Sequence, residues 1–505
     1  MMNLPDLELL KISQLSGIPT RKIYDALDHV LIILPGNPPE TLFRRLPQGA
    51  QLRRLLKNTR NAKAQSATSR LNNSKATGVT VATFDGATSV FKQLTWSREI
   101  ITRCSQDQPS NLGILVLGLE EEKRQSATKN LIAAAEAAAF QLPTFKSSAK
   151  KTKAPLKRIK ILASTPRVDL NTIRAQALGN NIARWFTALP PNKLDAKNYR
   201  ELVTVLCTRY GIQTTTLDES KLKRLGANAF LAVSQGNANR DAGIIQLRYR
   251  PPGIKHPGLM LVGKGILFDT GGTNLKPFKS MLDMHMDMEG SAVALGTLIA
   301  LATLEVPYGI DAWLAVTENR LSATAYKSQD IIQAANGTTI QIIHTDAEGR
   351  MVLADTLALA AREKPDVIID YATLTGTCVS ALTERYSGIF SNRIKANELL
   401  YHAGVSAGER VWPFPMDEDY DEMLRSKVAD IKQCSEAGYG DHILAARFLS
   451  KFVPKDTPWI HIDLSAGQHK GGLAHIPSDI TGFGVKLTLE LLSERGPAAL
   501  AKELS

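Results

Sequence analysis

Apolar residues in this chain fall into short β-branched runs separated by longer stretches of helical spacing. Near the N-terminus the runs are "HVLIILP" (29–35), "GVTVATFD" (78–85) and "GILVLGL" (113–119). Their length and near-continuous apolar character predict strands covered on both faces. The alanine-rich "SATKNLIAAAEAAAFQ" (126–141) is made of helix formers and predicts a helix. These elements predict a smaller N-terminal α/β domain over residues 1–165. Within it, "FKSSAKKTKAPLKRIK" (145–160) carries seven bases, no acid and a proline, and reads as an exposed loop entering a strand at 159–163. A helical pattern from Leu170 to Leu189 stops at "PPN" (190–192), which predicts a linker helix over 166–190.

From 191 to 505 the alternation resumes. Strand-like runs lie at 243–249, 258–265, 309–316, 339–344, 366–373 and 459–465, with helical patterns at 289–304, 351–363, 441–453 and 484–494. This predicts a larger C-terminal α/β domain with a mostly parallel sheet flanked by helices. In such sheets ligands bind beyond the carboxyl ends of the strands, so chemistry is sought there.

Composition narrows the class. A chain of 505 residues with 44% apolar and 22% charged positions has the make-up of a globular protein. No apolar run reaches the roughly 18 to 20 residues that span a bilayer. The start, "MMNLPDLELLKISQL", carries acids where a secretory signal carries bases, and the expected location is cytoplasmic. Cys104, Cys207, Cys378 and Cys434 lie far apart with no CxxC pair, which argues against a disulfide framework or a thiolate metal site. The net charge of +12 is uneven: residues 1–165 hold 25 bases and 12 acids, and the remainder is close to neutral. A basic first third beside a neutral remainder makes DNA an alternative partner for that portion.

Three segments place charge at expected strand ends or helix starts. In "VGKGILFDTGGTNLKP" (262–277), Lys264, Asp269, paired glycines and Lys276 form either a plain glycine-rich turn or a loop wrapped around a ligand. In "MLDMHMDMEGSAVALG" (281–296), Asp287 and Glu289 are placed as a helix N-cap would be. In "HTDAEGRMVLADTLALAAR" (344–362), Asp346, Glu348 and Arg350 recur at every second position ahead of an amphipathic helix starting near Met351. An extended backbone there would point all three the same way. Four carboxylates at one sheet edge would repel one another unless a cation neutralised them, and oxygen-rich sets suit divalent ions.

These segments resemble the signatures of the leucyl aminopeptidase family of dinuclear metallopeptidases. "HTDAEGR" (344–350) is similar to its hallmark "NTDAEGR", and Val262 to Lys276 match "VGKGxxFDxGGxxxK". "DMEGSAVALG" (287–296), "YATLTG" (371–376), "PPN" (190–192) and "TGFGVKL" (481–487) follow in the family's order. The resemblance covers about residues 170–495 and implies that the C-terminal domain is catalytic.

It further implies two divalent ions per subunit, zinc or manganese, with magnesium or cobalt as alternatives. Their ligands would be Lys264, Asp269, Asp287, Asp346 and Glu348. Lys276 would stabilise the oxyanion, and Arg350 would hold a bicarbonate acting as base. Met284, Thr373 and Gly376 would line the pocket for the first side chain, with a preference for Leu or Met. The implied activity is metal-dependent hydrolysis of the first peptide bond of peptides by a homohexamer. Three positions depart from the family: His344 replaces Asn, Met351 replaces Leu, and Glu289 stands at a small or uncharged position. Glu289 reads as a solvated charge at a helix start, or as a fifth acid that alters metal preference or side-chain selectivity. Residues 426–449 are unusually polar for a stretch that is Gly/Ala-rich in the family.

Overall fold

The computed structural model describes residues 3–59, 66–147, 156–493 and 495–505. The chain divides into two compact units. One comprises Glu8–Ala177 with Gly471–Ser478; the other comprises Leu178–Lys470 and Asp479–Ser505, together with residues up to Leu7. The division falls inside the Asn171–Thr187 helix. Of the basic stretch 145–160, residues 148–155 lie outside the described ones.

The first unit is built on a six-stranded sheet in the order Lys11–Gln14, Arg158–Leu162, Asn111–Val116, His29–Pro35, Gly78–Phe84, Ser66–Arg70. Only the last pairing is antiparallel. Val30 to Leu34 are all fully buried, as a strand covered on both faces requires. The helices Val90–Ser105 and Glu121–Ala139 pack together. Within the second, Glu136 is buried and accepts a hydrogen bond from the Leu10 amide at 3.0 Å.

The second unit carries an eight-stranded sheet. Its four central strands, Trp459–Asp463, Val367–Ala372, Pro257–Asp269 and Gly309–Asn319, are mutually parallel. Antiparallel pairings flank them on both sides. The Pro257–Asp269 strand shows how the layers form. Met260, Val262 and Ile266 enter a core with Met351, Val352 and Leu353 of the Glu348–Ala360 helix. Residues of the other parity face the Glu289–Thr303 helix, where Gly263 and Gly265 permit close approach to Ser291. Two helices thus sandwich the strand whose carboxyl end carries Asp269.

The Glu348–Ala360 helix differs from expectation: every one of its residues is buried, so it is not amphipathic. It is wrapped on all sides. Even Asp355 is fully buried; its carboxylate accepts from the Phe230 amide (2.9 Å) and the Ala335 amide (2.7 Å). Among the described residues no helix is long and apolar enough to cross a membrane.

Candidate functional site

Lys264 shares the parity of Val262 and Ile266 and therefore points toward the start of the Glu348–Ala360 helix. Its stem passes over Gly349, where an added Cβ would lie 2.6 Å from Lys264 Cε. The motif needs glycine there because another side chain fills the space. The Lys264 ammonium donates to Asp287 Oδ1 (2.7 Å) and the Thr373 carbonyl (2.8 Å), and pairs with Glu348 Oε1 at 3.0 Å.

Asp269 ends the same strand. Its Oδ1 accepts from the Gly271 amide and from Asn319 Nδ2, both at 2.8 Å. Asn319 ends the neighbouring parallel strand and also donates to the Thr345 carbonyl at 3.0 Å. Gly271 has φ +86°, and a Cβ there would sit 2.9 Å from Asp346 Oδ1, so the loop closes onto the acid. Lys276 bridges Asp269 Oδ2 (2.9 Å) and Asp346 Oδ1 (2.5 Å).

The extended run expected through 346–350 does not form. The chain turns at Thr345 and Asp346, and the helix begins at Glu348 rather than near Met351. Thr345 fixes the turn: its hydroxyl donates to the Gly271 carbonyl (2.6 Å), and its own carbonyl accepts from Tyr326 OH (2.8 Å). His344, the family's usual Asn position, contributes by accepting the Asp346 amide on Nδ1 at 3.2 Å. The three charged residues consequently part company. Asp346 and Glu348 converge with Asp269, each offering an oxygen within 4.8 Å of the others. Arg350 instead forks onto Asp441, with Nη1 to Oδ1 at 2.9 Å and Nη2 to Oδ2 at 2.5 Å. Its Nη1 also donates to the Gln433 carbonyl at 3.2 Å. The anion expected on Arg350 is therefore a protein carboxylate, supplied by the polar segment 426–449.

Two further readings are corrected. Asp287 does not cap the Glu289–Thr303 helix, whose N-cap is Met288 without a side-chain bond; it is held by Lys264 and by the Thr373 hydroxyl at 2.7 Å. Glu289 is not solvated: its exposure is 0%, and both carboxylate oxygens lack a hydrogen-bond partner. Burial pushes its carboxyl up to about 8, and the nearby Gly482 backbone offsets this only in part.

Electrostatically, the centre holds more negative charge than its lysines neutralise. Burial raises Asp287, Asp346 and Glu348, and the neighbouring carboxylates raise them further against the pull of the lysines. Burial alone would lower Lys264; Asp287, Glu348 and Asp269 outweigh it and hold the ammonium charged. Asp287 Oδ2 and Glu348 Oε2 find no hydrogen bond at all. Buried unpaired oxygens beside other carboxylates suit hard or borderline divalent cations.

A cleft of about 430 Å³ opens over this centre. Met284, Thr373 and Gly376 line it, as do Glu289, Ser465 and Gln468. Sequence reasoning missed Asn319, Thr345, Asp441 and Asp463. The last accepts from the Leu374 amide (3.1 Å) and the Thr375 hydroxyl (2.7 Å), and so shapes the loop after the Val367–Ala372 strand. A polar residue closing a buried strand was the available signal for Asn319 and Asp463. Asp441 and Thr345 offered none.

The model of the "cytosol aminopeptidase family, catalytic domain" matches residues 181–489. A probable cytosol aminopeptidase of Syntrophotalea carbinolica is 40% identical over 324 residues, covering 64% of this chain and 65% of that protein. One from Chlorobaculum tepidum is 41% identical over 315 residues, covering 62% of each. The match thus spans just under two thirds of these relatives' lengths. Among solved structures, the bottromycin maturation enzyme BotP in complex with Mn superposes with a TM-score of 0.77 at 26% identity, over 94% of this chain and 100% of that one. A tomato leucine aminopeptidase variant gives 0.82 at 24% identity, over 97% of both chains, which speaks to the fold alone. With its catalytic-domain model matched across most of the second unit, the chain belongs to the cytosol aminopeptidase family.

Proposed function

We propose that this protein is a metal-dependent aminopeptidase that removes the first residue of peptides, and that the unit containing residues 178–470 is its catalytic part. The observation that carries the reading is the convergence of Asp269, Asp346 and Glu348, with Lys264 and Asp287 against them and buried oxygens left unpaired. This donor set fits a pair of divalent ions, held by Lys264, Asp269, Asp287, Asp346 and Glu348; zinc and manganese are the first candidates. When bound, such a pair supplies Lewis acidity toward a carbonyl and a water of lowered pKa.

The chain's own groups do the rest. Lys276, paired with two carboxylates, keeps a fixed positive charge at the mouth of the centre, where a developing oxyanion would need it. The Thr373 hydroxyl and carbonyl orient Asp287 and Lys264. A surplus of carboxylates draws in a free α-amino terminus, which restricts cleavage to the first peptide bond. Joining a metal would require Lys264 to give up the proton it holds against Asp287 and Glu348. Bicarbonate does not fit: Asp441 already occupies both arms of the Arg350 fork. The hexameric assembly and cytoplasmic location implied by the family resemblance belong to the same proposal, and light scattering reads the former.

The test is a panel of aminoacyl amides assayed with Mn, Zn, Mg and Co, with and without chelator. Release of the amino acid that vanishes on chelation and returns with metal is expected. Unchanged activity after thorough chelation, or in Glu348→Ala, would overturn the reading.

A further inference from the structure

Glu289 is a buried acid of the cleft that the centre described above does not use. It lies at the start of the Glu289–Thr303 helix with no exposure and no hydrogen bond on either oxygen, yet it lines the same cleft as Met284 and Gln468. Opposite it the chain is Gly467, where a Cβ would stand 2.3 Å from Glu289 Oε2 and 2.7 Å from Cδ. Any larger residue at that position would collide with the carboxyl group, so the glycine makes room for it.

A buried acid with both oxygens unpaired costs the fold several kcal/mol in general. Such a cost persists where the missing partner arrives with a ligand. The chemistry of that partner follows from the lining. Lys264, Lys276 and Arg350 are the basic groups of the cleft, and each is already matched by carboxylates. Among the described residues, Glu289 has no cation of its own. Ser465 and Gln468, on the loop after the Trp459–Asp463 strand, add polar surface beside it. Eight carboxyl groups and three bases line the cleft, so acids far outnumber the bases that face them.

We propose that the wall formed by Glu289, Ser465 and Gln468 is a specificity site for a basic first side chain, Arg or Lys, whose guanidinium or ammonium supplies the hydrogen bonds Glu289 lacks. The proposal rests on the aminopeptidase reading and replaces a preference for Leu or Met. A site built to pair with a polar group rejects the analogue that lacks one far more sharply than an apolar pocket sorts methylenes.

The decisive experiment compares kcat/KM for Arg, Lys, Leu and Met amides on the metal-loaded protein and on E289Q, with calorimetric titration of argininamide and leucinamide alongside. Expected are a preference for Arg and Lys over Leu of at least tenfold, and a fall of at least tenfold in the Arg-to-Leu ratio in E289Q. Weaker argininamide binding should accompany that fall. Should E289Q not fold, Gly467→Ala serves instead, since its Cβ displaces the carboxyl and lowers the same ratio. Preference for Leu or Met, or a ratio unmoved in the variant that folds, overturns the assignment. Absence of cleavage of every amide instead refutes the aminopeptidase reading beneath it.

Discussion

The substitution Gly349→Ala isolates the placement of Lys264. In the first turn of a helix, Ala is favoured over Gly by up to about 1 kcal/mol, so the change should not weaken the helix itself. Its methyl group, however, would lie 2.6 Å from Lys264 Cε, 2.8 Å from Nζ and 2.9 Å from Cδ. Ordinary carbon contacts are about 3.5 to 4.0 Å, so the lysine must retreat by about 1 Å. The backbone has no reason to move, because the obstructed atoms are the far end of a flexible chain. Retreat separates Nζ from Asp287 and Glu348, now at 2.7 and 3.0 Å. Misplacement of a reacting group by about 1 Å costs on the order of 100-fold in rate. The assay is kcat/KM for argininamide in saturating Mn, paired with thermal unfolding in chelator. The expected result is a loss near two orders of magnitude with an unfolding midpoint close to the parent's. A rate within threefold of the parent would show that Lys264 placement is not critical. A large drop in the midpoint would show that Gly349 serves packing instead.

Other consequences can be measured more briefly. Asp441→Ala leaves the fully buried Arg350 guanidinium without its carboxylate and should destabilise the fold by on the order of 3 kcal/mol; added bicarbonate or formate should restore the variant's melting temperature and leave the parent's unmoved. Asp355→Asn replaces one of two acceptors that pin the Phe230 and Ala335 amides, and denaturant titration should show a loss of about 1 to 3 kcal/mol. Glu136 is raised to about 7 by burial, only partly offset by the Leu10 amide, so the folded form holds its proton more tightly than the unfolded one. Its contribution is full below about pH 4.5 and is lost as pH rises through 7; Glu136→Gln should therefore flatten the decline in stability between pH 5 and 8, by at most about 3 kcal/mol.

Much of the architecture is legible in the chain because it depends on local pattern. The β-branched runs at 29–35 and 243–249 are strands as read, since burial on both faces demands near-continuous apolar residues. Lys264 and Asp269 are legible for the same reason: a charge inside or ending such a run must have a purpose. The 344–350 stretch departs from its local pattern because its geometry is decided elsewhere. Its turn depends on Gly271, Asn319 and Tyr326, and the direction of Arg350 depends on Asp441, 91 positions away. A helix start such as Glu289 usually lies in solvent; here the helix is enclosed, and Gly467 makes the room for its carboxyl.

The enclosure of the Glu348–Ala360 helix has a consequence for how this protein can diverge. Every position on that helix is buried, and Glu348 is its first residue, so the helix has no exposed face on which to vary freely. The wall bearing Ser465, Gly467 and Gln468 belongs to a separate loop on another strand, where Gly467 faces Glu289. Diet and chemistry are therefore inherited through different stretches of chain, and a lineage can exchange what it trims while leaving how it cuts untouched.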